Sequence, residues 1–93
     1  MIQKILIVKN ELGLHARPCA LIVQKIKDFK STITFNADNI TVDAKSILSL
    51  LSLPAPINTK IKITINGEDE HTVLDVITEL FNNQFNEAYR SAT

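Results

Sequence analysis

His15, Arg17 and Pro18 fall within one stretch of four residues, 15–18. An imidazole can act as a nucleophile or a base. A guanidinium is a permanent cation whose fork of donors suits phosphate oxygens. Proline has no backbone N–H and fits the first turn of a helix, where that donor would lack a partner anyway. It also biases the preceding residue towards extended geometry, which helps to set where a helix can begin. A helix start presents N–H groups without intrahelical partners and a partial positive charge, so it can hold an anion without a metal. The same field disfavours the imidazolium, leaving a ring nitrogen available at neutral pH, and stabilises a phosphoryl group once it arrives. Two readings follow. In one, His15 is a transiently phosphorylated nucleophile; in the other, it is an exposed capping residue and Arg17 is a surface charge. The residues alone leave both open.

These side chains need a scaffold, and the apolar spacing supplies one. Residues 2–8 are a short apolar run rich in isoleucine and predict a strand, with a turn at Leu12-Gly13. Cys19, Ile22, Val23, Ile26 and Phe29 fall on one helical face, with Arg17, Ala20, Gln24 and Lys27 opposite, which predicts a helix over 16–28. A hairpin follows, with strands at 32–35 and 40–43 and a turn over 36–39, because Asn and Asp accept left-handed backbone. Ser46 is placed to cap a short helix reaching Leu53, and Pro54 and Pro56 stop it. Leu50 and Leu53 are its candidate core residues. In the strand at 60–66, Ile61, Ile63 and Ile65 share one face while Lys60, Lys62 and Thr64 share the other, wet one. From Asp69, Val73, Leu74, Ile77, Leu80, Phe81 and Phe85 recur at helical spacing, so a last helix ends near Phe85. The order strand, helix, strand, strand, helix, strand, helix predicts an α+β two-layer sandwich, its sheet antiparallel or mixed and its helices on one side.

Composition narrows the function classes. A chain of 93 residues predicts one domain, taken as 1–86 with a disordered tail at 87–93, and no cleft between domains. Ten basic residues balance ten acidic ones and aromatics make up 5%, so no nucleic-acid footprint stands out. The run 5–8 is too short for a membrane span or a secretory signal, so a cytoplasmic protein without membrane insertion is expected. The single cysteine, Cys19, allows no internal disulfide, and its spacing gives it a packing role. His71 reads as a surface residue. A zinc site from His15, Cys19 and His71 has no supporting spacing, so neither metal nor cofactor is expected. Lys45, Ser49 and Ser52 read as solvated polar positions.

A resemblance adds to this. N-x-L-G-L-H-A-R-P at 10–18 resembles the phosphohistidine signature of the HPr family, phosphocarriers of the bacterial sugar phosphotransferase system. V-D-A-K-S-I-L-S-L-L-S-L at 42–53 resembles that family's regulatory serine segment, and the likeness spans about 2–85. It implies an open-faced sandwich: a four-stranded antiparallel sheet covered on one face by three helices, in the order β-α-β-β-α-β-α. It implies that His15 accepts a phosphoryl group on Nδ1 from enzyme I, loaded by phosphoenolpyruvate, and passes it to sugar-specific IIA domains. Arg17 would stabilise that group, with the backbone of Ala16 and Arg17 binding phosphate. Ser46 would be the target of an HPr kinase/phosphorylase. Ile47, Leu48 and Leu51 would form an apolar docking patch with Ala20, Gln24 and Lys27 on its rim. Such a protein is a monomeric carrier without a cofactor, not an enzyme in its own right.

The chain also departs from the family pattern. Pro54 stands where many members have glycine, so the turn after the short helix must differ, with Asn58 taking over some of that role. Cys19 stands where alanine is usual. The ending LFNNQF resembles the nitrogen-regulatory branch of the family, whereas K-S-I around Ser46 favours the sugar or kinase-regulated branch. A pure interaction module with no phosphoryl chemistry is the third reading.

Overall fold

The computed structural model describes residues 1–86. The expected tail at 87–93 lies outside the described residues. Four strands and three helices alternate as β1 (Ile2–Ile7), α1 (Ala16–Ile26), β2 (Thr32–Ala37), β3 (Ile40–Asp43), α2 (Ile47–Leu51), β4 (Lys60–Asn66) and α3 (Glu70–Asn82), followed by a 3-10 turn at Gln84–Asn86. The strands form one sheet in the order β1-β4-β2-β3, every neighbouring pair antiparallel. This is the open-faced sandwich that the resemblance implies.

Register explains where the core lies. Ile65 pairs with Ile2 and Ile33, and Ile63 faces Phe35, which in turn faces Val42. These residues share the helix side of the sheet, and Ile33, Phe35, Ile61, Ile63 and Ile65 are buried there beneath Cys19, Ile22 and Ile26 of α1 and Val73, Ile77 and Phe81 of α3. The other face carries Gln3, Thr64, Thr34 and Asp43 across one row. The period of two in β4 thus separates a dry side from a wet one. Each fully buried isoleucine contributes about 1.5–3 kcal/mol relative to exposure.

Several boundaries differ from expectation, each for a local reason. The hairpin turn is two residues, not four: Asp38 (φ 52°) and Asn39 (φ 64°) both adopt left-handed backbone, so β2 runs on to Ala37. Positive φ at both central residues defines the type I′ turn whose twist matches paired strands. Helix α1 stops at Ile26 rather than 28, because the Phe29 amide bonds the Ile26 carbonyl and tightens the last turn. Helix α2 stops at Leu51 rather than Leu53, the amides of Ser52 and Leu53 likewise reaching back three residues to Ser49 and Leu50. Helix α3 ends at Asn82 rather than Phe85, with Asp69 outside it as N-cap. Gln84 (φ 52°) and Phe85 (φ 53°) are left-handed, and this hook lays the Phe85 ring edge-on to Phe81 at 5.0 Å. Burial of an aromatic ring overrides continuation of the helix. Strand β1 ends at Ile7, yet Val8 stays tied down: its amide bonds Thr59 and its carbonyl accepts from Asn58. Asn58 has φ 73°, the left-handed role expected of it after Pro54.

Candidate functional site

The site begins with the loop that carries the chain from β1 into α1. Gly13 donates to the Asn10 carbonyl (3.0 Å), Leu14 to the Ala55 carbonyl (3.0 Å) and His15 to the Gly13 carbonyl (3.1 Å). Gly13 has φ 71°, and a Cβ there would collide with the Ala55 carbonyl and lie 2.9 Å from Pro56 Cα. Only glycine combines that backbone with that approach. The loop after α2, with its two prolines, is therefore the platform on which the His15 loop rests.

His15 is the N-cap of α1, extended at φ −94° and ψ −169°, and its side chain makes no capping bond. The residue is half-buried. The first intrahelical bond runs from Cys19 to the His15 carbonyl, and Pro18 has no N–H to offer. The helix therefore opens with the amides of Ala16 and Arg17, which have no carbonyl four residues back within the helix. The first turn holds no acidic residue, and Arg17 is exposed beside it. An imidazole, two backbone donors and a positive helix end share the start of α1, with the exposed Arg17 two residues into it. That arrangement can hold an anion on a ring nitrogen without a metal.

Ala20, Gln24 and Lys27 are exposed on the same face of α1 as Arg17. Arg17, Ala20, Leu21 and Gln24 line a shallow groove together with Phe85. Phe85 gave no sign of this in the sequence, because only the left-handed hook brings it there. Helix α2 packs against α1. Ser46 is its N-cap, as predicted, and its hydroxyl accepts from the Ser49 amide at 3.2 Å. Leu50 and Leu53 are buried, as expected, while Leu48 is 81% exposed and Ile47 and Leu51 are exposed beside it. Leu12 (74%) and Ile57 are also exposed. Neither was singled out from sequence, since a lone apolar residue in a loop has no period to reveal it. Lys45 is not a solvated bystander: its ammonium donates 2.6 Å to the Phe29 carbonyl, tying the start of α2 to the end of α1.

Cys19 is fully buried, its Sγ 3.8 Å from the Leu14 carbonyl, and burial pushes its thiol up to about 11. This is the packing role expected of it. His71 is exposed near the start of α3, where the neighbouring Glu70 pairs with the N-terminal ammonium at 3.1 Å. That is the opposite end of β1 from His15, and the buried Cys19 thiol faces the Leu14 carbonyl. Among the described residues, no three or more His, Cys, Asp or Glu side chains are grouped to hold a metal. No helix among the described residues is long and apolar enough to cross a membrane.

Comparison with known proteins meets this geometry from outside. Residues 2–83 match the family model described as the PTS HPr component phosphorylation site. The chain is 46% identical over 87 residues to phosphocarrier protein HPr of Xylella fastidiosa, covering 94% of this chain and 98% of that one. It is 35% identical to phosphocarrier protein NPr of Proteus mirabilis, over 86% of this chain and 90% of the other. The crystal structure of HPr from Thermoanaerobacter tengcongensis superposes with a TM-score of 0.88 at 37% identity, covering 94% of this chain and 98% of that one. With the signature, the sheet order and near full-length identity in agreement, the chain belongs to the HPr family of phosphocarrier proteins of the phosphotransferase system.

Proposed function

We propose that His15 is the phosphoryl acceptor of this carrier, loaded by phospho-enzyme I and unloaded onto IIA domains of sugar permeases. The observation that carries the reading is the start of α1: a histidine stands at its N-cap, beside two amides outside the helical ladder, and the first turn holds no acid. In the first step the bond from phosphorus to enzyme I breaks as the bond to His15 Nδ1 forms; in the second, that P–N bond breaks as a bond to the nucleophile of the IIA domain forms. Little covalent chemistry is required of the protein, so positioning and electrostatic stabilisation dominate. The amides of Ala16 and Arg17 and the Arg17 guanidinium face the charge that develops on the phosphoryl oxygens. Ile47, Leu48 and Leu51, with Ala20, Gln24 and Lys27, form the docking surface around it. Transient encounters of this kind need only modest area. One monomer presents one histidine to one partner at a time, in the cytoplasm.

Ser46 is the regulatory site. Its hydroxyl caps α2, and a phosphate there meets the positive end of that helix while adding negative charge beside the docking patch. It would repel acidic groups of an incoming partner. The K-S-I sequence around Ser46 favours the sugar-transport or kinase-regulated branch. The nitrogen-regulatory branch is the second reading, supported by the LFNNQF ending at 80–85.

Incubation with enzyme I and phosphoenolpyruvate tests the acceptor. Acid-labile phosphate that disappears in His15→Ala supports it, and no uptake with a competent enzyme I defeats it. Onward transfer to a sugar-type IIA domain separates the branches. An HPr kinase with ATP should place acid-stable phosphate on Ser46, and label retained in Ser46→Ala would show that the assignment is wrong.

A further inference from the structure

We propose that Asn10 is a positioning residue for phosphoryl transfer, acting on His15 through the Gly13 carbonyl; this rests on His15 being the acceptor. Asn10 is a polar residue left only 1% exposed. A carboxamide is buried at a cost unless it is hydrogen-bonded, so its place at the base of an exposed loop calls for a reason. Its Nδ2 donates 2.5 Å to the Gly13 carbonyl, while its own carbonyl accepts from the Gly13 amide at 3.0 Å. Residue 10 thus grips residue 13 twice, once by side chain and once by backbone.

The Gly13 carbonyl also accepts the His15 amide at 3.1 Å. A carbonyl has two lone pairs, and both are engaged here. Two consequences follow for the site. The His15 amide is turned back into its own loop, which leaves Ala16 and Arg17 as the amides at the mouth of α1. The peptide from Gly13 to His15, which contains the most freely rotating residue type in the chain, is held in one orientation. The Leu14–Ala55 bond ties the loop to its platform at one point. A single tie permits pivoting, and the Asn10 carboxamide supplies the second constraint that fixes the angle of His15.

Misplacing a reacting group by a fraction of a bond length slows transfer without weakening docking. In transfer from phospho-enzyme I, Asn10→Ala is therefore expected to lower kcat by about tenfold or more with KM within about twofold. Asn10→Asp keeps the shape but sets a carboxylate oxygen against the Gly13 carbonyl, so its kcat should fall further. The wild-type protein offers a check that needs no variant to fold. NMR should show a through-hydrogen-bond coupling between the Asn10 side-chain nitrogen and the Gly13 carbonyl carbon. Absence of that coupling, an unchanged kcat in folded Asn10→Ala, or a rise in KM alone would each overturn the proposal. A wild-type protein that accepts no phosphoryl group would instead overturn the acceptor reading, and the role of Asn10 with it.

Discussion

At the start of α3, Asp69 turns its carboxylate to the amides of Lys30 and Ser31 and to the Ser31 hydroxyl, and Glu70 pairs with the N-terminal ammonium. Both carboxylates titrate below their ordinary range. For Asp69 the Ser31 hydroxyl is the largest cause, followed by the Lys30 amide; for Glu70 it is the bond to the ammonium. Neither Asp69 nor His15 makes a side-chain capping bond to its own helix, so the difference lies in the charge: the first turn of α1 holds no acid. One helix end carries the protein's own anions, and it staples the turn after α1 to the far end of the sheet. The other carries no acid in its first turn, and under the proposed function it receives an anion from outside. Helix α2 stands between them, capped by its own Ser46 hydroxyl. The difference teaches that two helix starts in one small domain can differ in charge, and the one without an acid of its own is the one suited to an incoming anion.

The most damaging way to break this contrast is to give α1 an acid of its own. Ala16→Glu should raise stability by about 0.3–1 kcal/mol through the helix dipole. It should also slow phosphoryl uptake by about tenfold or more, since the carboxylate occupies the developing charge's place. Thermal melts and transfer kinetics on the same variant check both signs. Gly13→Ala attacks the loop instead. Left-handed backbone costs a residue with a Cβ about 1–3 kcal/mol, and the collision with Ala55 and Pro56 adds to it; denaturant unfolding reads the sum. Ser46→Ala removes the α2 cap and should cost about 1 kcal/mol, with His15 phosphorylation intact.

Asp69→Asn acts at the start of α3. The Asp69 pKa is lowered from 3.8 on folding, so its contribution is present above that value and is lost as pH falls through the folded one. Wild type should melt higher than Asp69→Asn at neutral pH. The gap should close as pH drops below 3.8. A gap that stayed constant across that range would assign the effect to shape and not to charge.

Much of this was legible in the chain. The period-two isoleucines of β4, the face of α1 from Cys19 to Ile26 and the Ser46 cap are local signals, written within a few residues of where they act. Asn58 took the left-handed backbone that Pro54 denies. The misreadings came where a tertiary contact outweighs local propensity. Phe85 leaves the helical path to bury its ring on Phe81. The turn at Asp38–Asn39 tightened because paired strands favour two left-handed residues over a longer loop. The contacts missed altogether, Asp69 to Ser31, Lys45 to Phe29 and Leu14 to Ala55, join residues distant in sequence, each with a backbone group on at least one side. No spacing encodes them. At the site, residue types and the family signature pointed to His15 and Arg17, whereas the support from Asn10 and Ala55 emerged only with the fold.

The central claim is that the acid-free start of α1 holds a phosphoryl group on His15. The most direct test is NMR of the protein labelled with 15N, recorded with and without enzyme I and phosphoenolpyruvate. The account predicts one phosphorus coupled to Nδ1 of His15, with the largest amide shifts at Ala16 and Arg17 and the amides at the start of α3 unmoved. Phosphorus on His71, or on His15 with no response from those two amides, would contradict it.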